Sequence, residues 1–263
     1  MTELPAVVLR APAGSRPFRL HRRPPAEHLT DIVGHFWSVE WSLPPGAHHD
    51  QDVVSHPCGH LTVEAEGAFV QGVPTSRFRR RLTGSGRVVS AHLRPSALSA
   101  LTDRPAAELT DRRTPLDELI PHAPGLEKIR AAESPEAGID ALEEWFAALG
   151  PRRRPGAEVV DAAVDLIAAR TDLTRVDALA AELHVTVRTL QRRFDRHLGV
   201  GPKWVLRRCR IQDALGVIES GGDVDWAALA ADLGFADQSH FTNAFTALVG
   251  VPPGAYRSRP AGS

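Results

Sequence analysis

A dense block of basic side chains lies in the C-terminal third of the chain. Between residues 184 and 210 the sequence has eight arginines and lysines but a single acid, Asp195, so this segment carries a formal charge of +7. A solvated helix face is the ordinary explanation of such a run. The other explanation is a surface that binds nucleic-acid phosphates, where cations add affinity by releasing condensed counterions. The spacing of the neighbouring residues favours the second explanation.

Two interleaved patterns run through residues 186–198. Apolar residues recur at helical spacing and predict a buried face, formed by Val187, Leu190, Phe194 and Leu198. Arg188, Gln191 and Arg192 follow the same spacing on a different face. In a major groove, arginine suits guanine and glutamine suits adenine, so these three residues are predicted to read bases. Phosphate contacts are predicted for Thr186, Arg193, Arg196, Lys203, Arg207 and Arg208.

A second copy of this unit follows about fifty residues later. The segment LAAELHV at 179–185 matches LAADLGF at 229–235, and the correspondence continues after one inserted residue. A duplicated supersecondary unit is the simplest explanation. The second copy is predicted to bury Phe241, Phe245 and Val249, to read bases with Gln238, Ser239, Thr242 and Asn243, and to contact phosphate with His240.

Each copy is predicted to fold as a helix, a turn and a second helix. Thr174 and Thr186 can cap the two helices of the first copy, and Asp237 can cap the second helix of the second copy. Between the copies, helical spacing predicts a helix from Pro202 to about Ser220. Its length of about 24 Å follows from a rise of 1.5 Å per residue. Such a rod could hold two reading helices near successive major grooves, ~34 Å apart.

These features together resemble the AraC/XylS family of bacterial transcription regulators. The resemblance covers about 174–257 and rests on R-x-L-Q-R-x-F at 188–194, G-x-x-P at 199–202, R-I-x-x-A at 210–214, G-F-x-D-x-S-H-F-x-x-x-F at 234–245 and GVPPGAYR at 250–257. It implies two helix-turn-helix motifs that read DNA with the residues given above. Family members often have basic residues where this chain has Asn243 and Thr246, so the second reading helix is expected to lack a cation.

The first third of the chain has the pattern of short β-strands. Trp37, Val39 and Trp41 alternate with polar residues, and glycines and prolines interrupt the later runs at short intervals, as in the hairpins of a small barrel or sandwich. Further along, Ser134 can cap a helix that ends at Gly150. Residues 30–120 also resemble, more loosely, the cupin-like N-terminal domain of some of these regulators. That resemblance implies a small β-barrel that binds an effector or a partner subunit.

The effector site is predicted around the HPCGH segment at 56–60. In an extended segment, His56, Cys58 and His60 would point to one side, an arrangement suited to soft-metal binding or thiol sensing. A proline-glycine turn with a half-buried cysteine is the favoured interpretation, so no metal, cofactor or catalytic residue is expected. Alkyl transfer to Cys58 is disfavoured because no zinc-ligand cysteines accompany it. The tentative effector-binding set comprises Trp37, Trp41, His56, Cys58, His60 and His92.

The composition restricts the class of protein and its cellular location. The 263 residues carry 31 basic and 32 acidic side chains, so the net charge identifies no partner. Two cysteines build no disulfide framework, and no apolar run approaches the ~20 residues of a membrane span. We therefore expect a soluble, cytoplasmic α+β protein without a membrane partner. Its predicted parts are a cupin-like sensor domain with C-terminal helices at 1–150, a linker at 151–156 and an all-α DNA-binding domain at 157–263.

Three functions compete on this sequence. The leading hypothesis is an effector-responsive, sequence-specific transcription regulator that binds promoter DNA and RNA polymerase, with homodimer formation left open. The alternative is a cupin-type metalloenzyme, or a metal or thiol sensor, fused to a DNA-binding module. The enzyme is disfavoured because the strands lack a G-x-H-x-H cluster with a nearby glutamate. An architectural binder is disfavoured because the reading helices carry side chains suited to base edges.

Overall fold

The computed structural model describes residues 7–8, 17–54, 56–121, 123 and 125–258. Strands occur in the N-terminal part of these ranges and helices dominate after Pro135, which confirms the predicted α+β class. The strands are β1 (Val7–Val8), β2 (Phe18–Arg23), β3 (Val33–Ser42), β4 (His48–Val54), β5 (His60–Glu64), β6 (Gly67–Gln71), β7 (Phe78–Thr83), β8 (Ser85–Leu93) and β9 (Arg113–Pro115).

The strands pair into two antiparallel sheets. The smaller sheet has the order β1-β4-β7, and the larger has the order β2-β3-β8-β5-β6-β9. Within the described residues no strand pairing joins the two sheets, so they do not form the closed barrel that the sequence predicted. In the larger sheet, His35 on β3 and His60 on β5 are both register partners of His92 on β8. This register gathers residues from three strands at one end of the sheet.

Short and long helices follow and separate the strands. They are α1 (Leu98–Leu101), α2 (Leu116–Leu119), α3 (Leu126–Arg130), α4 (Pro135–Leu149), α5 (Glu158–Ala169), α6 (Val176–Glu182), α7 (Val187–His197), α8 (Pro202–Glu219), α9 (Trp226–Asp232), α10 (Gln238–Val249) and α11 (Pro253–Arg257). Two 3₁₀ turns lie at Glu27–Leu29 and Ala106–Leu109. No helix of the described ranges is both long enough and apolar enough to cross a membrane.

Helix α4 covers the larger sheet and has the predicted ends. The Ser134 hydroxyl accepts a hydrogen bond from the Ala137 amide at 3.1 Å, and Gly150 ends the helix with a φ of 59°. Ile139 and Phe146 are buried in the same apolar cluster as Phe36 of β3. An amphipathic helix gains most of its stability from such packing, so α4 belongs to the N-terminal core.

The C-terminal helices pack around two apolar clusters that share α8. One cluster contains Leu179 of α6 with Leu190 and Phe194 of α7, and the other contains Phe241 and Phe245 of α10. The duplicated helix-turn-helix pattern is therefore confirmed at the level of secondary structure and core. Helix α8 spans 18 residues, about 27 Å at 1.5 Å per residue, close to the predicted length.

One predicted cap is wrong. Helix α6 begins after Arg175 rather than Thr174, and no side chain caps its N-terminus. Thr174 instead packs closely against Gly234, where an added Cβ would lie 2.4 Å from the Thr174 Cβ. The threonine thus serves the contact between the two helix-turn-helix units.

The segment after Gly150 is held by ion pairs. Residues 151–154 have no regular secondary structure, as a linker would, yet Arg153 pairs with Asp31 and Arg154 pairs with Asp103. Arg154 also donates to the Ser99 carbonyl oxygen at 3.0 Å. These contacts attach the segment to the N-terminal part, and the division into domains at 151–156 stays a prediction.

Candidate nucleic-acid interface

Helix α7 presents the residues predicted to read bases. The Thr186 hydroxyl accepts a hydrogen bond from the Thr189 amide at 3.1 Å, which begins the helix as predicted. Leu190 and Phe194 are fully buried, whereas Arg188, Gln191 and Arg192 are exposed. The helix therefore has one packed face and one solvent-facing polar face, the arrangement that a recognition helix in a major groove requires.

The predicted phosphate contacts divide into exposed and enclosed residues. Thr186, Arg196, Lys203 and Arg207 are exposed, and Arg193 is half-buried beside Gly156. Arg208 contradicts its prediction because its side chain is 3% exposed and lies over the Trp204 ring, 4.9 Å from the ring centre. Burial lowers the pKa of Arg208 to about 10, so the guanidinium remains charged at neutral pH. Cys58 and Asp111 of the N-terminal part are among its electrostatic neighbours, so its burial argues against the predicted phosphate contact.

Helix α10 presents a second, uncharged reading face. Asp237 caps it by accepting a hydrogen bond from the His240 amide at 2.7 Å, as predicted. Gln238, Ser239 and Asn243 are exposed, while Thr242 is half-buried. The Thr246 hydroxyl donates to the Thr242 carbonyl oxygen at 2.7 Å. The predicted phosphate residue His240 is half-buried, with its ring centre 5.4 Å from that of Phe235.

Arg210 on α8, the first residue of the R-I-x-x-A motif, has a structural role that the sequence did not predict. Its guanidinium is buried and donates to the Asp213 carboxylate at 2.6 Å, to the Ile167 carbonyl oxygen at 2.6 Å and to the Arg170 carbonyl oxygen at 3.1 Å. The two carbonyls lie at the C-terminal end of α5, where helical backbone acceptors lack partners. Arg210 therefore attaches α5 to α8 and supports the first helix-turn-helix from behind.

The N-terminal part contacts the C-terminal end of α7 directly. The Ser99 hydroxyl and the His197 Nδ1 lie 2.7 Å apart, and the Thr110 hydroxyl donates to the Gly199 carbonyl oxygen at 2.8 Å. Gly199 has a φ of 92°, and an added Cβ would lie 2.5 Å from the Thr110 Oγ1, so the two parts meet without a gap. No sequence pattern predicts these pairs, because they join segments that are far apart in the chain.

Cys58, His60 and His92 form a cluster at the end of the larger sheet. The Cys58 Sγ lies 3.0 Å from the His92 Nε2 and 3.9 Å from the His60 Nε2. The His56 ring lies across the His92 ring at 5.4 Å, and the His35 ring stacks on it at 4.4 Å. Residues 56–59 form a bend before β5, as the favoured proline-glycine turn predicted, although Cys58 is buried rather than half-buried. The cluster is completed by the pairing of β5 with β8.

The histidines of this cluster are neutral at neutral pH. Burial, together with neighbouring histidines, lowers the pKa of His56 to about 3 and that of His60 to about 4. Burial likewise lowers the pKa of His92 well below its usual value. Neutral imidazole is the form that binds metals and that accepts a hydrogen bond from a thiol.

The two tryptophans of the tentative effector set lie apart. The Trp37 ring contacts His60 at 6.2 Å between ring centres and so belongs to the cluster. Trp41 lies at the other end of β3, where its Nε1 donates to the Thr83 carbonyl oxygen at 3.0 Å. It lines an open cleft of about 780 Å³ together with Glu40 and Arg87. The structure therefore brings together five of the six predicted effector residues and separates Trp41 from them.

Two family models match separate parts of the chain. A family model described as a helix-turn-helix domain matches residues 179–259, and a model described as a domain of unknown function matches residues 21–115. A putative AraC-like transcription regulator of Streptomyces lividans is 35% identical over 82 residues, which are 31% of this chain and 27% of that protein. The chain thus aligns with about a quarter of the length of this relative.

Solved structures show similarity at low TM-scores. The C-terminal domain of AraT, a response regulator from Geobacillus stearothermophilus, is 26% identical and covers 38% of this chain and 83% of its own, with a TM-score of 0.34. The DNA-binding domain of AdpA in complex with a target DNA is 29% identical over 39% of this chain and 88% of its own, with a TM-score of 0.32. ToxT from Vibrio cholerae is 13% identical over 93% of this chain and 98% of its own, with a TM-score of 0.36.

The sequence matches and the geometry of the helices agree. The matched residues 179–259 begin within α6 and extend through α7, the connecting helix α8 and the whole second helix-turn-helix unit. The AraC-like relative aligns with a segment of matching size. The chain therefore has a helix-turn-helix domain at residues 179–259, and it is similar over 82 residues to a putative AraC-like transcription regulator.

Proposed function

We propose that this chain is a sequence-specific transcription regulator that binds promoter DNA through α7 and α10. The observation that carries the proposal is the polar face of α7. Arg188, Gln191 and Arg192 are exposed there, whereas Leu190 and Phe194 on the other face are fully buried. Helix α10 repeats this arrangement with neutral side chains at the other end of α8. Two reading helices on one rod of about 27 Å suit adjacent major grooves, whose spacing is ~34 Å.

The N-terminal part is proposed to control the first reading helix. It contacts α7 through the Ser99–His197 pair and the following turn through the Thr110–Gly199 pair. These contacts connect it to the first helix-turn-helix and give a physical route for an effector signal. A bound effector would change DNA affinity only if it favours one arrangement of this contact over another. The tentative effector set around His60 and His92 lies in the same part of the chain.

Further partners belong to the proposal. They are RNA polymerase at the promoter, a small-molecule effector and a second copy of the chain in a homodimer. The cytoplasmic location predicted from the sequence is also part of it, since the protein would act where promoter DNA lies. The proposal assigns no catalytic reaction to the chain.

Selection of genomic fragments tests sequence-specific binding. We expect the wild-type protein to enrich a small set of fragments that share a bipartite motif. The double variant Arg188→Ala/Arg192→Ala should lose this enrichment, while Arg19→Ala, which changes an exposed arginine of β2, should retain it. Enrichment of fragments without a shared motif, equal for all three proteins, would instead support an architectural DNA-binding protein.

Salt dependence tests the phosphate contacts. Each phosphate neutralised on double-stranded DNA contributes about −0.9 to the slope of log affinity against log salt concentration. Lys203→Ala and Arg207→Ala should each make that slope shallower by about one unit and weaken all DNA sequences alike. Fluorescence anisotropy titrations at several salt concentrations measure both effects, with Arg19→Ala as the control. Slopes identical to that of the wild type would remove these residues from the interface.

A further inference from the structure

The Cys58, His60 and His92 cluster has the donor set of a metal site. One ligand atom from each residue, a thiol sulfur and two imidazole nitrogens, lies within 4.8 Å of the others. Sulfur and imidazole nitrogen together select soft or borderline ions rather than Mg²⁺ or Ca²⁺, which prefer oxygen ligands. Within the described residues no carboxylate joins the set, so Zn²⁺ and Cu⁺ fit its chemistry.

The distances in the cluster suit a single ion. With bonds of about 2.0–2.3 Å, the ligand atoms of a tetrahedral zinc site lie about 3.3–3.6 Å apart. The Cys58 Sγ lies 3.0 Å from the His92 Nε2 and 3.9 Å from the His60 Nε2, distances that bracket this range. Both histidines therefore direct the same nitrogen toward the sulfur. Small side-chain rotations suffice to place the three atoms around one ion, with a fourth position open for another ligand.

The polar atoms of the cluster are poorly satisfied by the protein. The Nδ1 atoms of His60 and His92 are buried and have no hydrogen-bond partner in the described part of the chain. A thiol hydrogen bond accounts for the close approach of Cys58 to His92, but not for the convergence of His60. An ion bound by the sulfur and the two Nε2 atoms accounts for the convergence of all three side chains, and it leaves the two Nδ1 atoms as they are.

The cluster lies close to the contact with the DNA-binding domain. Gly59 packs so tightly on α1 that an added Cβ would lie 2.5 Å from the Leu98 Cδ2, and the next residue, Ser99, contacts His197 of α7. The buried Arg208 of α8 interacts electrostatically with Cys58 and His56. A change in the position of Cys58 would therefore affect α7 through the packing of Gly59 on α1. A change in its charge would affect α8 through Arg208.

We propose that Cys58, His60 and His92 bind one Zn²⁺ or Cu⁺ ion, and that occupation of the site changes the affinity of the first helix-turn-helix for DNA. The second half rests on the proposed function. On binding, the Cys58 thiol loses its proton to solvent and the thiolate coordinates the ion, so no oxidant or reductant is required. This reverses the interpretation favoured by the sequence, because the position of His92 beside Cys58 depends on the pairing of β5 with β8.

Metal binding is tested on the full-length reduced protein. Equilibrium dialysis against Zn²⁺, and separately against Cu⁺ without oxygen, should give one ion per chain for at least one of the two metals. Co²⁺ as a spectroscopic probe should show a thiolate-to-cobalt charge-transfer band, a readout that needs no variant. Less than one ion per chain in both dialysis arms would overturn the proposal. If Zn²⁺ is the ion bound, Co²⁺ spectra without that band would overturn it as well.

Variants assign the ligands. Cys58→Ser and His92→Gln should lower metal affinity by more than about 100-fold, since loss of an outer-shell partner alone costs about 10–100-fold. Cys209→Ser, which changes the buried cysteine of α8, and His28→Gln, which changes an exposed histidine, should bind like the wild type. Circular dichroism checks that each variant is folded. Equal metal binding by Cys58→Ser and the two controls would show that the ion sits elsewhere.

DNA titration with and without metal separates the two halves of the proposal. Metal should change the DNA affinity of the wild type by about 5–150-fold, the range of ordinary coupling energies, and leave Cys58→Ser unchanged. If the ion binds but DNA affinity stays constant, the regulatory half is wrong and the metal site stands. If no DNA fragment is bound specifically in either state, the proposed function fails, while the dialysis result still decides the metal site.

Discussion

The Arg192→Ala variant should bind the operator about 5–150-fold more weakly than the wild type. A bidentate contact between an arginine and a base edge provides about 1–3 kcal/mol of discrimination, and Arg192 is exposed on the polar face of α7. Asn243→Ala should cost less, about 2–13-fold, because neutral hydrogen bonds contribute about 0.5–1.5 kcal/mol each. The two reading helices are therefore expected to be unequal, with α7 providing most of the affinity.

Titration of each variant against a promoter fragment, with footprinting of both half-sites, measures this difference. Arg192→Ala should relax specificity over one half of the operator, and Asn243→Ala should do so over the other. The halves should lie about one helical turn apart on the same face of the DNA, as the length of α8 requires. Equal losses from the two variants, or protection confined to the half assigned to α10, would show that the wrong helix has been assigned the main role.

The helices of the DNA-binding domain could be predicted because their signals are local. Caps such as Thr186 and Asp237 and the apolar spacing of Leu190 with Phe194 lie within a few residues of one another, and the structure confirms them. The failure at Thr174 has a tertiary cause. Its side chain packs against Gly234 of the second unit, and this contact cannot be read from neighbouring residues.

The residues of the N-terminal site could be predicted only in part. The sequence identifies His56, Cys58 and His60 as neighbours, but the position of His92 depends on strand register. Arg207 and Arg208 show the same limit on α8, since they are adjacent in sequence while one is exposed and the other is 3% exposed. Which of them is exposed depends on tertiary packing, which the sequence does not show.

Of the variants considered, Arg210→Met should show the largest loss of free energy of unfolding. It removes the buried guanidinium that pairs with Asp213 and occupies two carbonyl acceptors at the end of α5. Methionine replaces the aliphatic part of the side chain but has no donors, so the carboxylate and the carbonyls lose their partners. Breaking a buried pair on one side costs about 3–5 kcal/mol, and because Asp213 is only partly buried we expect the lower end of that range.

Denaturant unfolding of the full-length protein, followed by circular dichroism, measures this loss as a shift of the helical transition to lower denaturant concentration. Arg207→Met is the matched control, since it makes the same substitution on an exposed arginine of the same helix and should unfold like the wild type. The double variant Arg210→Met/Asp213→Leu should recover part of the loss, because it removes the unpaired carboxylate as well. Equal transitions for Arg210→Met and Arg207→Met would mean that the network around Arg210 does not attach α5 to α8. The support of the first reading helix would then depend on apolar packing alone.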